Sequence, residues 1–96
     1  MTSKQRAYLK SLAMNMEPIL SVGKSSVTPE LIQAVEEAIE KRELIKLSVL
    51  KNCADDPRDL AEILSGRTKS ETVQVIGKKI VLYRPAKKPR IELPKK

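Results

Sequence analysis

Gly23-Lys24-Ser25-Ser26 sets a turn former, a cation and two hydroxyls in a row, between the apolar run Ile19 to Val22 and a strongly periodic helix opening at Thr28-Pro29. The chemistry this invites is anion binding. Threonine suits the cap and proline the first helical position. The leading amides of such a helix have no internal partner and carry the positive end of its dipole, so a phosphate is the natural guest. Gly23 is read as supplying backbone angles that a Cβ would resist. The same residues also serve any strand-to-helix connection, and the loop taken alone fits that structural role better. Gly23-Lys24-Ser25 matches the end of a nucleotide P-loop, but the leading glycine of that motif would fall at Pro18, which excludes it.

Other reactive side chains offer less. Cys53 is the single cysteine and the chain has no histidine to activate it, so it is read as a small apolar filler after a strand. Asp55 and Asp56 precede Pro57, the pattern of an ordinary helix cap rather than a catalytic or metal-binding pair. No metal-ligand spacing is present, so neither an enzyme nor a cofactor is expected.

The positioning framework follows from length and charge. At 96 residues the chain makes one domain, and with 2 aromatics, Tyr8 and Tyr83, its core must be aliphatic. A face built on stacked rings is thereby disfavoured. One cysteine and no apolar stretch of signal-peptide or membrane length lead us to expect a soluble, cytoplasmic protein with no membrane partner. The formal charge of +7 lies at the ends. Lys4, Arg6 and Lys10 stand without an acid in the first 16 residues, and Arg84, Lys87, Lys88, Arg90, Lys95 and Lys96 face only Glu92 in the last stretch. A near-neutral middle with basic ends fits a polyanion partner.

Along the chain, Ser3 is expected to cap a first helix from Lys4 to Asn15 with Leu9, Leu12, Ala13 and Met16 as its apolar stripe. Ile19 to Val22 reads as a buried strand. Pro29 to Arg42 reads as a helix with Leu31, Ile32, Val35, Ala38 and Ile39 inward and Glu30, Glu36, Glu37 and Glu40 outward. Leu44 to Leu50 alternates as a strand, with Lys46 and Ser48 on its wetter side. A third helix opens at Asp56-Pro57 and is expected to stop at Gly66. Thr72 to Ile76 and Ile80 to Arg84 make a hairpin around Gly77-Lys78. Residues 1–84 form the domain, and 85–96 read as a basic, proline-rich, extended and mobile tail.

The order α-β-α-β-α-β-β predicts an α/β fold, a single two-layer domain with a mixed four-stranded sheet whose first three strands share one direction. The loops at Gly23 and Lys51 and the hairpin tip at Lys78 and Lys79 then leave one end of the sheet, where open sheets usually bind ligands. Lys24, Lys78 and Lys79 would converge there.

Four stretches together carry a family resemblance spanning the first helix to Arg84. They are Lys4 to Ala13, Val22-Gly23-Lys24, Arg42-Glu43-Leu44-Ile45-Lys46, and Gln74-Val75-Ile76-Gly77 with Tyr83-Arg84. The chain resembles the bacterial YhbY-like, single CRM-domain RNA-binding proteins. That resemblance implies a fold akin to the C-terminal domain of a bacterial translation initiation factor, and association with large-subunit ribosomal RNA during ribosome assembly. It also implies a Gly-x-x-Gly loop like the backbone clamp of KH domains. The matching positions are Gly23 to Ser26, with serine in place of the second glycine.

The reading is a non-catalytic RNA-binding module that grips phosphate and shape through Gly23, Lys24, Ser25, Ser26, Lys78, Lys79, Arg84 and the first-helix residues Lys4, Arg6 and Lys10. The partner expected is ribosomal RNA or a pre-large-subunit particle, and no DNA. The alternative is a protein-interaction adaptor on the ribosome that binds RNA weakly.

Overall fold

The computed structural model describes residues 1–94; Lys95 and Lys96 of the expected basic tail lie outside the described residues. Seven elements follow in the expected order: α1 (Ser3–Ala13), β1 (Leu20–Val22), α2 (Pro29–Arg42), β2 (Leu44–Val49), α3 (Pro57–Thr68), β3 (Glu71–Ile76) and β4 (Lys79–Tyr83). The sheet order is β1-β2-β4-β3. β1 runs parallel to β2, and β4 lies antiparallel to both β2 and β3. The first three strands therefore share a direction, as expected.

Three local boundaries differ from the sequence reading. The cap of α1 is Thr2 rather than Ser3, because Gln5 completes a reciprocal pair with it: each backbone amide donates to the other's side chain at 3.1 Å. The same helix ends at Ala13, where the Met16 amide turns back onto the Ala13 carbonyl at 3.0 Å and Lys46 Nζ donates to the carbonyls of Ala13 and Met16, at 3.0 and 3.2 Å. α3 runs through Gly66 to Thr68, since Leu64 and Thr68 continue the buried face, and the left-handed residue that stops it is Lys69, at φ 53°.

The helices divide between the two faces of the sheet, which makes the sheet the middle of three layers rather than one side of two. Successive buried residues on β2 explain this. Ile45, Leu47 and Val49 join Val35, Ile39, Leu60 and Leu64 under α2 and α3, whereas Leu44 joins Leu9, Ala13, Val81 and Tyr83 under α1. A bulge between Thr72 and Gln74 turns Val73 to the α1 side, although Val75, two residues on, packs on the other. Cys53 packs as a free thiol in the first cluster.

The Gly77-Lys78 turn closes the hairpin in the expected two-residue form, with Gly77 at φ 56° and Ile76 opposite Lys79. Beyond β4 the described residues, through Pro94, form no helix or strand, yet they lie against the domain. Ile91 and Leu93 cover the α1 cluster, and Gln5 Nε2 donates to the Pro94 carbonyl at 3.1 Å. These two side chains give an otherwise polar tail the apolar surface with which it docks. Among the described residues no helix is long and apolar enough to cross a membrane.

Candidate nucleic-acid interface

The three loops named from sequence meet at one end of the sheet. The Leu50 amide donates to the Val22 carbonyl at 2.9 Å, and the Val49 amide to the Lys78 carbonyl at 2.7 Å. The Gly23 backbone packs beside Asn52, 3.7 Å from where a Cβ would sit. Lys24 and Lys78 are exposed, while Lys79 is half-buried and donates to Ser48 Oγ at 3.0 Å. Among the described residues the one ion pair is Arg84–Glu36, so none of these three lysines is in a direct ion pair.

Within the first loop the glycine does something other than expected. Gly23 has no left-handed backbone, and a Cβ there would meet Leu50 and Asn52 at ordinary contact distance. The left-handed residue is Ser26, at φ 57°, whose amide closes the turn onto the Gly23 carbonyl at 2.9 Å. The backbone of a glycine is thus kept where serine replaces the second glycine of the pattern. The Ser26 hydroxyl donates to the Asp55 carboxylate from the β2–α3 loop, which ties the two loops together. Ser25 remains exposed. Thr28 Oγ1 accepts the Leu31 amide at 3.1 Å and fixes the start of α2 beside the turn, and Asp56 caps α3 by accepting the Arg58 amide at 2.8 Å.

The structure separates the other basic candidates from this end. Arg84 follows β4 at the opposite end of the sheet, where its guanidinium donates to Glu36 at 2.7 Å and to the Thr68 carbonyl at 2.8 Å, bracing α2 against α3. Arg6 donates to the carbonyls of Thr72 and Val73 and holds α1 to β3. Lys4 is exposed near the start of α1. Only Lys10 of the three α1 cations lines the groove between that helix and the loop end of the sheet, together with Lys46, Gln74 and Ile76.

Lys46 and Ser48 are the residues that motif reading passes over. Their signal lay in the alternation of β2, which set both on the polar side of the strand. In the fold, register places Ser21, Ser48, Lys79 and Ile76 in one row across all four strands on the α1 face. Lys46, Val81 and Gln74 form the next row.

A model of the CRS1 / YhbY (CRM) domain matches residues 1–84. The chain belongs to that family. It is 47% identical over 95 residues to the Probable RNA-binding protein YqeI of Bacillus subtilis, covering 98% of this chain and 99% of the relative. It is 32% identical over 96 residues to an RNA-binding protein of Haemophilus influenzae, covering 100% and 97%. The solution structure of SAV1595 from Staphylococcus aureus superimposes with a TM-score of 0.83 at 49% identity, covering 98% of this chain and 99% of that one. These relatives match the CRM chain across its tail as well as its domain.

Proposed function

We propose that this CRM-domain protein is a non-catalytic, cytoplasmic RNA-binding module that associates with large-subunit ribosomal RNA during ribosome assembly. The observation that carries the reading is the meeting of Lys24, Lys78 and Lys79, from separate parts of the chain, at one end of the sheet without a paired carboxylate among the described residues. Cations gathered at one end of a sheet suit the phosphate backbone, which positions an RNA before any base is read. The names of the relatives support RNA as the partner. The ribosomal target rests on the family resemblance.

Filter binding tests the reading, with fragments of large-subunit ribosomal RNA as ligand and transfer RNA as competitor. The expected result is retention of ribosomal fragments that transfer RNA displaces poorly. Equal competition would leave a general RNA binder without the ribosomal role. No retention at moderate salt, with binding to a ribosomal protein instead, would favour an adaptor.

A further inference from the structure

The α1 face of the sheet is only half covered. α1 packs over Leu44, Val73, Val81 and Tyr83, but the row nearest the loops, with Ser48, Lys79 and Ile76, lies outside that cluster. What remains is a groove of about 440 Å³ alongside α1, between that helix and β2–β4–β3, whose walls include Lys10, Met14, Lys46, Gln74 and Ile76. Two features distinguish it from an ordinary surface hollow. No acidic residue lines it, and Lys46 is held in place by the Ala13 and Met16 carbonyls, which leaves its charge and a third N–H for a ligand. Its rims are apolar: Met14 is 76% and Ile76 56% exposed. Gln74 adds an amide that can donate and accept.

The geometry points to this groove as the seat of an unpaired nucleotide in the bound RNA, with the base between Met14 and Ile76 against Gln74 and its phosphates on Lys10, Lys46 and Lys79. The inference rests on the RNA reading above and adds to it the class of RNA. A strand running from the hairpin tip over Lys79 enters the groove directly, because Lys79 and Ile76 are register partners. A duplex, whose bases are stacked inward, presents no free base for the apolar rims. An apolar helix from a protein would suit Met14 and Ile76 but leave the ammonium of Lys46 desolvated without a counter-charge.

Methyl-labelled methionine and isoleucine report the groove directly. Titration with a short single-stranded oligouridylate is expected to shift the Met14 and Ile76 methyl resonances, and an RNA duplex of equal phosphate number to leave them in place. The uncharged pair Met14→Gln with Ile76→Gln, both at exposed positions, is expected to weaken single-strand binding by about fivefold, less than loss of an aromatic platform, with duplex binding unchanged. Gln74→Glu should weaken it further without altering the fold. If RNA binds while both methyls stay silent and the variants bind like the parent, the groove is overturned and the RNA reading stands. A response to an amphipathic helical peptide but not to RNA would make the groove a protein-docking site and overturn the inference. Absence of binding to either RNA overturns both.

Discussion

The Glu43 carboxylate accepts the backbone amide of Arg90 at 2.8 Å. Ile91 donates to the same oxygen at 3.1 Å, and Ala86 to the other at 3.1 Å, so one side chain at 0% exposure gathers three tail amides. Glu43 also sits at φ 65° between α2 and β2, an unusual backbone for a residue with a Cβ. The main chain adds to the knot: the Arg84 amide donates to the Glu43 carbonyl at 2.9 Å. Replacing the carboxylate leaves three part-buried amides without their acceptor, so Glu43→Ala is expected to lose roughly 2 kcal/mol. Glu43→Gly relieves the backbone and should recover about 1 kcal/mol of that loss. Chemical denaturation checks the ranking, and hydrogen exchange at Ala86, Arg90 and Ile91 should quicken in both variants. Unchanged exchange at those amides would refute the latch.

Cutting after Pro85 should have two separable effects. It removes the amides that satisfy Glu43 and the cover of Ile91 and Leu93, so melting temperature is expected to fall. It also removes five cations, Lys87, Lys88, Arg90, Lys95 and Lys96. Each phosphate that the shortened chain no longer neutralises lowers the slope of log affinity against log salt by about 0.7 to 0.9. Salt titration of RNA binding at a temperature where both forms are folded isolates the second effect. A full-length slope in the truncated protein would mean that the tail serves the fold alone.

Ser26→Gly asks whether the left-handed turn at φ 57° is costly here. Glycine removes a backbone penalty of about 1 kcal/mol but also the hydroxyl that bridges to Asp55. The two changes nearly cancel, so the variant should match the parent in stability within about 1 kcal/mol. Ser26→Val keeps the penalty, loses the bridge and adds a branched Cβ, and should cost roughly 2 kcal/mol. Equal stability of the valine and glycine variants would show that the turn relaxes on substitution.

Local devices were legible from sequence and non-local ones were not. Thr28-Pro29 and Gly77-Lys78 announce a helix start and a hairpin turn because each needs only its own neighbours, and the structure places both as read. Gly66 misled because its freedom to end a helix is overridden by Thr68, buried and donating to the Leu64 carbonyl at 2.7 Å. Arg84 and Arg6 read as free cations since nothing nearby in sequence shows Glu36, Thr68 or Thr72 waiting for them. Glu43 entered the sequence reading only within the Arg42-Glu43-Leu44-Ile45-Lys46 stretch of the family resemblance. Its role depends on amides more than 40 residues away. Alternation put Lys46 on the polar side of β2 and topology put Lys78 and Lys79 at the loop end of the sheet, but which rows α1 covers depends on its packing against Leu44, Val73, Val81 and Tyr83.

The Tyr83 phenol gives the fold an alkaline limit. Burial, and secondly the nearby Glu43 charge, push its pKa above the usual 10.0. The folded state therefore holds a proton that the unfolded chain gives up at lower pH. The stabilisation is complete below the unfolded value and is lost as pH rises through the folded one. Tyr83→Phe should lower the dependence of melting temperature on pH above 10.0, relative to the parent. Following phenolate absorbance in Tyr8→Phe, where Tyr83 is the sole tyrosine, should show a midpoint above 10.0 in the native protein and a normal one in urea.

Lys24 and Lys78 test whether the loop end of the sheet acts as one surface. They stand 54 positions apart in sequence, but Val49 joins the hairpin tip to β2, and Leu50 joins β2 to the strand that leads into Lys24. Neither lysine has a carboxylate partner among the described residues, and both are exposed, so alanine at either should leave stability unchanged. Each substitution is expected to weaken RNA binding by about 1 kcal/mol at moderate salt. If one stretch of phosphate backbone bridges both, removing the first lysine frees that stretch, and the double variant should lose less than the two single losses added. Additive losses would mean two independent anchoring points, and a parent-like affinity in both single variants would remove this end of the sheet from RNA binding altogether.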